Sequence, residues 1–523
     1  MEFTKPPSGL LYLLSFIEGA SVMAAELIGA KMLSPYFGSS LYVWATVMAV
    51  TLGGLAMGYF AGGLLSAKTN NPKVVYRVIL LAALFVMLMP LTSELVLHLA
   101  GSHALIPSVI ASTVLFLLPP VWLMGMVSPL LIHQLALEEG KAGKAAGAVY
   151  AISTVGGICA TFLTGFWIIP SFGLRIPCVF TGILLGILPL ALLMRKNVPS
   201  VLAALGALGL ISGSLWNTTR AELPSEIHIP YQSEGLLGQL MVVDYPNYSK
   251  DGSIGPGRNR ILFVNRIGQT QGNDRVDSLR QFSYIDQIVK NVQVMPVHSS
   301  ALVCGLGGGS LVLALNQAGW EVEGCELDPR IEYVARNFFN LPPAVRVTID
   351  DARHYIRMAS RKYDLVVLDL FKGEENPGHC FTTEAFTEIQ RLLNPGGALV
   401  INGHGFISAE AGRGMRAVCR TLMASGFRTC LLPTGPREEF RNLIFYATRN
   451  TEASPGYIEG WIAASGGSAL LPEAVLGPED KVMTDDKPVL DQLNALAYRT
   501  WRKNAIAFFE NESQRGRRIP AYH

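Results

Sequence analysis

Long apolar runs fill the first 216 residues of the chain and constrain its fold more than any other feature. Each run is close to the length that crosses a bilayer as a helix and carries few charges. A helix satisfies its own backbone polar groups in lipid. We therefore predict a membrane domain over residues 1–216, in the cell inner membrane, with the lipid bilayer as its partner. A large soluble helical core is the alternative, which the number of runs disfavours. The seven predicted spans are 9–34, 41–65, 75–100, 105–135, 146–169, 177–194 and 199–216.

Two features inside these runs predict local structure. Gly54, Gly58 and Gly62 recur every four residues, a strip that lets neighbouring helices pack closely. Pro119 and Pro120 predict a kink or break in the fourth run.

Glu26, in the first span, is the candidate functional residue of the membrane domain. A carboxylate in hydrocarbon is costly and usually faces the interior of the bundle or a cavity. A structural partner such as Lys31, or a backbone group, explains Glu26 equally well.

Basic residues predict the orientation of the spans. They concentrate in the even-numbered connections, which lie on the side of the amino terminus. The positive-inside rule then places the amino terminus in the cytoplasm. Seven spans would put the second half of the chain outside, whereas a domain that uses a cytosolic nucleotide is expected inside, so the sequence leaves the side open. The basic residues are Lys68, Lys73, Arg77, Lys141, Lys144, Arg195 and Lys196.

Beyond the apolar runs, short strands and helices follow one another. Residues 217–272 predict a small antiparallel β-domain, and 451–523 predict a C-terminal helical extension. Between them, over 273–450, alternation predicts a mostly parallel α/β Rossmann-like domain of the class I methyltransferase type. The predicted fold is thus a multi-spanning α-helical membrane domain plus this α/β domain with its small N-terminal β-sheet. The predicted strands of the larger sheet are 300–305, 321–326, 345–349, 363–369, 397–402, 427–433 and 441–448.

A glycine loop follows the first strand of the predicted larger sheet. It reads "CGLGGGS", and Gly305 and Gly307 would allow a tight turn and close approach of a ligand to the backbone. Ligands of open α/β sheets bind at the carboxyl ends of the strands, where such folds bind ribose hydroxyls, so several acids in register there indicate a ligand site. Solvated loop acids would explain any one of them but not all of them. These acids are Glu326, Asp328, Asp350, Asp351 and Asp369.

The same region disfavours several ligand classes. The loop lacks the GK[ST] of a phosphate-binding loop, and no cluster of lysines or arginines accompanies it. A net charge of +2 gives no case for nucleic acid, and the seven cysteines show no CxxC spacing, so we predict no metal site. An adenosyl thioether or sulfonium is favoured over a nucleoside triphosphate.

These segments resemble the spermidine synthases, the polyamine aminopropyltransferases, in order and spacing. The motifs are "YQSEGLLGQLMVV", "LFVNRIGQT", "FSYIDQI", "CGLGGGSLVLAL", "CELDP", "DDARHYI" and "VVLDLF". "AELIGAKMLSPYFGSSLYVWATVMA", "NPGHCFTTEAF" and "MTDDKPVLD" resemble more closely the members of this family that are fused to a membrane region. The resemblance covers about residues 10–495.

The resemblance implies roles for particular residues. Gln232 and Gln269 match glutamines near the donor pocket, Glu326 matches the acid that holds the donor ribose, and Asp351 matches the acid that contacts the adenine amine. Asp369 matches the catalytic aspartate, which takes a proton from the attacking amine. Together with Gly305, Gly307, Asp328 and Asp350, the first four form the predicted donor site.

Two departures from the family concern the acceptor. The loop of the family reads GGGDGG, and Gly308 stands where its amine-binding aspartate would be; Lys372 replaces a second acceptor-binding acid. Losing one anion and gaining a cation should repel a diamine. The residues from His379 to Glu384 fit the start of a helix, with Thr382 or Thr383 as N-cap, as well as they fit an acceptor site. Asp485 and Asp486 fit a helix cap as well as they fit the rim of the pocket. The candidate acceptor residues are Tyr284, Lys372, His379, Glu384, Asp485 and Asp486.

The leading functional hypothesis is a membrane-bound transferase that alkylates an amine acceptor other than plain putrescine. Its co-substrate would be decarboxylated S-adenosylmethionine or S-adenosylmethionine, and the acceptor a small-molecule amine or a lipid-associated one. The alternatives are an S-adenosylmethionine-dependent methyltransferase, and a transporter or sensor whose sheet domain binds a nucleoside or polyamine. The resemblance is also compatible with a homodimer.

Overall fold

A computed structural model describes the protein over residues 7–37, 41–100, 105–139, 142–194, 226–248, 254–273, 283–295, 299–449, 456–514 and 519. These residues form two compact units. The first contains the amino-terminal helices, the segment Gln232–Gln239 and the described residues from Phe509 onward. The second contains the described residues of Pro224–Tyr231 and Leu240–Phe508.

The first unit is helical. Within the described residues, six helices are long and apolar enough to cross a membrane, as expected for a multi-pass membrane protein. The seventh predicted span, 199–216, lies outside the described residues. The helices are α1 (Ser8–Phe37), α2 (Leu41–Ser66), α3 (Lys73–Ala100), α4 (Leu105–Phe116), α5 (Leu118–Glu139), α6 (Ala142–Leu163), α7 (Ile169–Phe172) and α8 (Arg175–Met194), with a π-helical turn at Thr164–Ile168.

Two local predictions for this unit are confirmed. The fourth apolar run divides at Leu117 into a short helix, α4, and the longer α5, whose first turn contains Pro119 and Pro120. Helices α2 and α5 pack so closely at Gly58 that a Cβ there would lie 2.4 Å from the carbonyl oxygen of Trp122.

The carboxylates of α1 have different surroundings. Glu18 is buried and accepts a hydrogen bond of 3.1 Å from Ser153 Oγ of α6, whereas Glu26 is half-buried. Lys31 donates to the backbone oxygen of Leu236 and lies 5.6 Å from the centre of the Trp44 ring. A backbone group is thus one partner of Lys31, and the functional role of Glu26 stays a prediction.

The small antiparallel sheet has four strands in the order β1-β2-β3-β4. Asn265 and Arg266, both at positive φ, form the tight turn between β3 and β4, and right-handed strand twist favours such turns in hairpins. The strands are β1 (His228–Ser233), β2 (Leu240–Tyr248), β3 (Ile254–Val264) and β4 (Ile267–Asn273).

The larger sheet has seven strands in the order β10-β11-β9-β8-β5-β6-β7. The five strands from β9 to β7 are parallel, and β11 is antiparallel to both of its neighbours. Apolar side chains of the central strands are buried on both faces, as a parallel sheet covered by helices requires. The predicted fold class is confirmed. The strands are β5 (Ser300–Cys304), β6 (Glu321–Glu326), β7 (Arg346–Ile349), β8 (Tyr363–Leu368), β9 (Leu393–His404), β10 (Phe427–Pro433) and β11 (Asn442–Arg449).

Helices cover this sheet, and the chain beyond β11 packs onto it. Trp461 of α15 is buried in the same apolar cluster as strand β5, and Leu490, which begins α17, is buried in the cluster on the other face. The helices are α9 (Ser283–Val292), α10 (Ser310–Gln317), α11 (Pro329–Phe338), α12 (Ala352–Met358), α13 (Thr383–Leu392), α14 (Arg413–Ala424), α15 (Tyr457–Ala464), α16 (Pro472–Val475) and α17 (Leu490–Gln514).

Candidate active site

The glycine loop lies at the carboxyl edge of the sheet, between β5 and α10. Gly305 has φ of +93°, and a Cβ there would lie 2.0 Å from the backbone oxygen of Asp369. The backbone N–H of Asp369 in turn donates 2.8 Å to the oxygen of Cys304. Only glycine allows this approach, so the glycine loop packs directly against the end of β8. We call the surface that these two segments form the wall of the site.

Glu326, at the end of β6, is fixed against the glycine loop. Its Oε2 accepts 2.9 Å from the backbone N–H of Leu306, and its Oε1 accepts 2.9 Å from that of Asp328. Burial raises the pKa of Glu326, although these backbone donors oppose the shift. A carboxylate held this way keeps free lone pairs for hydroxyl groups of a ligand.

Asp328 has a structural role in this arrangement. It caps α11 by accepting from the backbone N–H of Arg330 and forms an ion pair of 2.6 Å with the Arg330 guanidinium. Its contribution to donor binding stays a prediction.

The third strand end contains Asp350 and Asp351. Asp350 lies 2.7 Å from Nδ1 of His354, and Asp351 caps α12 with Oδ1 while its Oδ2 lies 3.1 Å from Nε2 of His379. Burial raises the pKa of Asp351, but the backbone N–H of His354 and the His379 ring together lower it by more, so the net shift of the pKa is downward. Asp351 is therefore a stable anion at neutral pH.

Two exposed apolar residues flank these acids. Leu327 follows Glu326 and Ile349 precedes Asp350, and their exposed fractions are 47% and 41%. Ile349 pairs with Glu326 across the parallel strands β6 and β7. The sequence analysis did not single them out, although each is an apolar residue beside a strand-end acid, a pattern that suits a flat aromatic base.

Asp369 receives two neutral donors. Its Oδ2 accepts 3.0 Å from the hydroxyl of Tyr284 in α9, and its Oδ1 accepts 2.8 Å from Nδ2 of Asn402 in β9. Burial raises the pKa of Asp369, and both donors partly offset the shift. Burial, and then the charge of Asp369, raise the pKa of Tyr284 well above its usual value, so Tyr284 stays a neutral donor. The carboxylate is thus more basic than an exposed aspartate.

The segment after Asp369 folds into a tight turn. Lys372 and Glu375 pair as an antiparallel bridge, which sets their side chains next to each other. Burial and the charges of Glu374 and Asp491 raise the pKa of Glu375 to about 8, against the opposing effect of Lys372. Arg502 also opposes this shift, so the turn combines one cation at Lys372 with a carboxyl group whose ionisation is disfavoured by burial.

Distant parts of the chain hold this turn in place. Gln269 donates 2.9 Å from Nε2 to the backbone oxygen of Gly373. Arg502 of α17 forms a buried ion pair with Glu374 through two hydrogen bonds and donates to the backbone oxygen of Asn265. Gln269, predicted near the donor pocket, thus contacts the turn that follows Asp369.

The position of the missing family aspartate is filled. A Cβ at Gly308 would lie 2.5 Å from Cγ2 of Thr270 and 3.0 Å from the ring of Phe339. Thr270 Oγ1 also accepts 2.8 Å from the N–H of Gly308. An acidic side chain at position 308 would require Thr270 and Phe339 to move. The packing of the site therefore fits glycine at this position and not aspartate.

The remaining acceptor candidates are mostly engaged with protein groups. Asp485 accepts 2.7 Å from Arg353 Nη2 and 2.7 Å from the Thr382 hydroxyl, and Glu384 accepts 3.1 Å from the N–H of Asp485. Thr382 is the N-cap of α13, as the helix-entry interpretation predicted. Asp486 is exposed, and Gln232 belongs by its packing to the first unit.

Sequence reasoning missed Asn402 and Arg502, which belong to no motif, and Thr270, which ends the motif "LFVNRIGQT" but was given no role. Within the described residues, no group of three or more His, Cys, Asp or Glu side chains could hold a metal ion.

Known proteins resemble part of this chain. The family described as "Methyltransferase domain" matches residues 302–401. A polyamine aminopropyltransferase of Vibrio vulnificus is 34% identical over 144 residues, which are 26% of this chain and 48% of that protein. A probable polyamine aminopropyl transferase of Bifidobacterium longum is 26% identical over 179 residues, which are 34% and 38% of the two chains. The resemblance to the spermidine synthase family is confirmed.

The match to spermidine synthase-like proteins is partial. The chain spans less than half the length of the two curated relatives, 48% and 38%, and adds an N-terminal region. The solved structure of a probable spermidine synthase from Corynebacterium glutamicum covers 49% of this chain and 95% of its own, at 16% identity and a TM-score of 0.38.

Proposed function

We propose that the protein is a membrane-bound transferase that moves a group from an adenosyl sulfonium donor to an amine. The proposal rests on the contact of Glu326, the glycine loop and Asp369 at one edge of the sheet. Glu326 accepts a hydrogen bond from the backbone N–H of Leu306 in the loop, and the backbone of Asp369 packs against Gly305 of the same loop. Relatives named polyamine aminopropyltransferase support a co-substrate related to S-adenosylmethionine. The lipid bilayer as a partner and a homodimer remain part of the proposal.

The residues of the site suit this chemistry. Glu326 and Asp351 would bind the donor ribose and adenine, with Leu327 and Ile349 as apolar flanks. A neutral amine attacks the carbon next to the sulfonium, the carbon–sulfur bond breaks with its electron pair moving to sulfur, and the amine proton passes to Asp369.

The acceptor is proposed to be an amine other than plain putrescine. A second ammonium group would meet the cation of Lys372, and burial disfavours a charge on the neighbouring Glu375. Thr270 and Phe339 occupy the space of the missing acid at Gly308. A small-molecule amine or a lipid-associated amine that lacks a second cation fits this wall better than a diamine does.

Calorimetric titration of the full chain in detergent tests donor binding. We expect decarboxylated S-adenosylmethionine to bind at least about tenfold more tightly than S-adenosylmethionine, a difference of about 1.4 kcal/mol. Methylthioadenosine should also bind, because it presents the same ribose and adenine. The reverse preference would favour methyl transfer, the second candidate, which the matched methyltransferase family supports. No binding of any of the three compounds would contradict the proposal.

The soluble half is proposed to lie in the cytoplasm. The described residues contain six candidate spans, and an even number returns the chain to the side of its amino terminus. We expect a green fluorescent protein fused after His523 to fluoresce and an alkaline phosphatase at the same site to be inactive. Fusions at residue 196 provide the control for the first six spans. An active phosphatase after His523 with an inactive one at 196 would show that 199–216 also crosses.

A further inference from the structure

Asn402 has both ends of its side-chain amide engaged. Its Nδ2 donates 2.8 Å to Oδ1 of Asp369, and its Oδ1 accepts 2.9 Å from Nδ2 of Asn442. Asn402 is buried, with 2% of its surface exposed, and the backbone N–H of Asn442 is itself held 2.9 Å from the Thr434 hydroxyl. The side chains of Asp369, Asn402 and Asn442 form a row from the end of β8 across β9 to β11.

The ionised carboxylate of Asp369 sets the orientation of the Asn402 amide. Turning the Asn402 amide over would set its oxygen against the Asp369 carboxylate and its NH₂ against that of Asn442, so acceptor would face acceptor and donor would face donor. With Asp369 ionised, Asn402 therefore presents N–H to Oδ1 of Asp369. A proton on that oxygen would face this N–H and would lack an acceptor there.

The other oxygen of Asp369 has a partner that can reverse. The hydroxyl of Tyr284 donates to Oδ2 at 3.0 Å, and rotation about its C–O bond lets the same oxygen accept instead. Tyr284 is the titratable group that faces the carboxylate from α9. The glycine loop presents backbone at Gly305 and, beside it, the buried thiol of Cys304, and the turn after Asp369 contains Lys372.

We propose that Asn402, oriented by Asn442, makes Oδ2 the oxygen of Asp369 that takes the proton of the amine. This inference rests on the proposed function. Asn402 and Asn442 are positioning residues, since neither takes a proton: the amine loses its proton to Oδ2, the Tyr284 hydroxyl rotates to accept from it, and Oδ1 keeps its bond from Asn402. Neutral amide donors stabilise the anion without adding a further cation to the site.

The chain offers a matched control on the same two strands. Asn394, near the start of β9, donates 2.8 Å from Nδ2 to Oδ1 of Asp364 in β8. The bond has the same chemistry and length as that between Asn402 and Asp369, but it lies at the opposite end of the strands. Asn394→Leu therefore reports what loss of such a bond does to the fold alone.

The test follows the protonation of Asp369 by pH-difference infrared spectroscopy of the full chain in detergent. The C=O stretch of protonated Asp369 is identified by its absence in Asp369→Asn. We expect Asn402→Leu to raise the apparent pKa of Asp369 by about one to two units, because a bond from a donor to a charged group is lost. Asn442→Leu should raise it less, and Asn394→Leu should leave it unchanged. An unchanged apparent pKa in a folded Asn402→Leu, or an equal rise in Asn394→Leu, would overturn the proposal.

A second variant covers failure of Asn402→Leu to fold. Asn402→Asp keeps the size of the side chain but sets two carboxylates against each other, so we expect them to share one proton and the apparent pKa to rise further. No rise in this variant would overturn the inference. Where transfer is measurable, kcat should fall about tenfold or more in Asn402→Leu with KM nearly unchanged, and the acid limb of the pH profile should move to higher pH. The infrared measurement needs neither donor nor acceptor, so failure of donor binding and failure of this inference are separate outcomes.

Discussion

Replacing Asp369 with asparagine should lower the transfer rate about 10²–10⁴-fold, the usual contribution of a general base. The substitution keeps the size of the side chain but removes the group that accepts the proton. Donor affinity should stay within a factor of about three, because the proposed donor contacts come from Glu326 and Asp351. Release of methylthioadenosine from decarboxylated S-adenosylmethionine, in the presence of a panel of amines, measures the transfer, and calorimetry measures the binding.

The control for Asp369→Asn is Asp364→Asn. Asp364 lies on the same strand, β8, and accepts from the backbone N–H of Ser300 and from Asn394, away from the carboxyl edge. Its loss should lower stability without a specific loss of turnover. Full transfer activity in Asp369→Asn would exclude Asp369 as the base and would favour the sensor or transporter alternative.

Gly305→Ala should abolish donor binding and lower the free energy of unfolding by more than about 3 kcal/mol. Two effects add up. A residue with a Cβ is strained at φ of +93°, and that Cβ would lie 2.0 Å from the backbone oxygen of Asp369. The end of β8 would have to move, and the Asp369 carboxylate would move with it. The melting temperature in detergent and calorimetric titration with methylthioadenosine measure the two losses.

Gly319→Ala separates the strain from the collision. Gly319 has φ of +94°, almost the value of Gly305, but a Cβ there would meet nothing within 4 Å. It should cost about 1–2 kcal/mol and leave donor binding intact. Equal effects of the two substitutions would show that close contact between the glycine loop and the end of β8 contributes nothing.

The fold was largely predictable from sequence because its signals are local. Buried strands such as Ala301–Cys304 read as short apolar runs, and Pro119 and Pro120 predicted the division of the fourth run. The glycine loop and Glu326 were predictable because strand ends in a parallel sheet meet at one edge.

The rest of the site depends on contacts between distant parts of the chain. Asn402 lies 33 residues from Asp369 and Arg502 lies 128 residues from Glu374, and neither belongs to a motif. Asp485 was a candidate for the acceptor site, but the structure gives it Arg353 as a partner. An ion pair between residues far apart in sequence leaves no local sequence pattern. Only the structure therefore distinguishes a carboxylate that pairs within the protein from one that faces a ligand.

The turn after Asp369 is held by Gln269, Arg502 and Tyr498, whose hydroxyl accepts from the N–H of Asn376. All three lie outside residues 302–401, the block that the methyltransferase family recognises. The parts of the chain that shape the wall beside Lys372 can therefore diverge in evolution while the block itself is preserved. Under the proposed function, changes in these outlying parts would alter the acceptor without altering the donor contacts at Glu326 and Asp351, so the shared block alone does not fix the substrate.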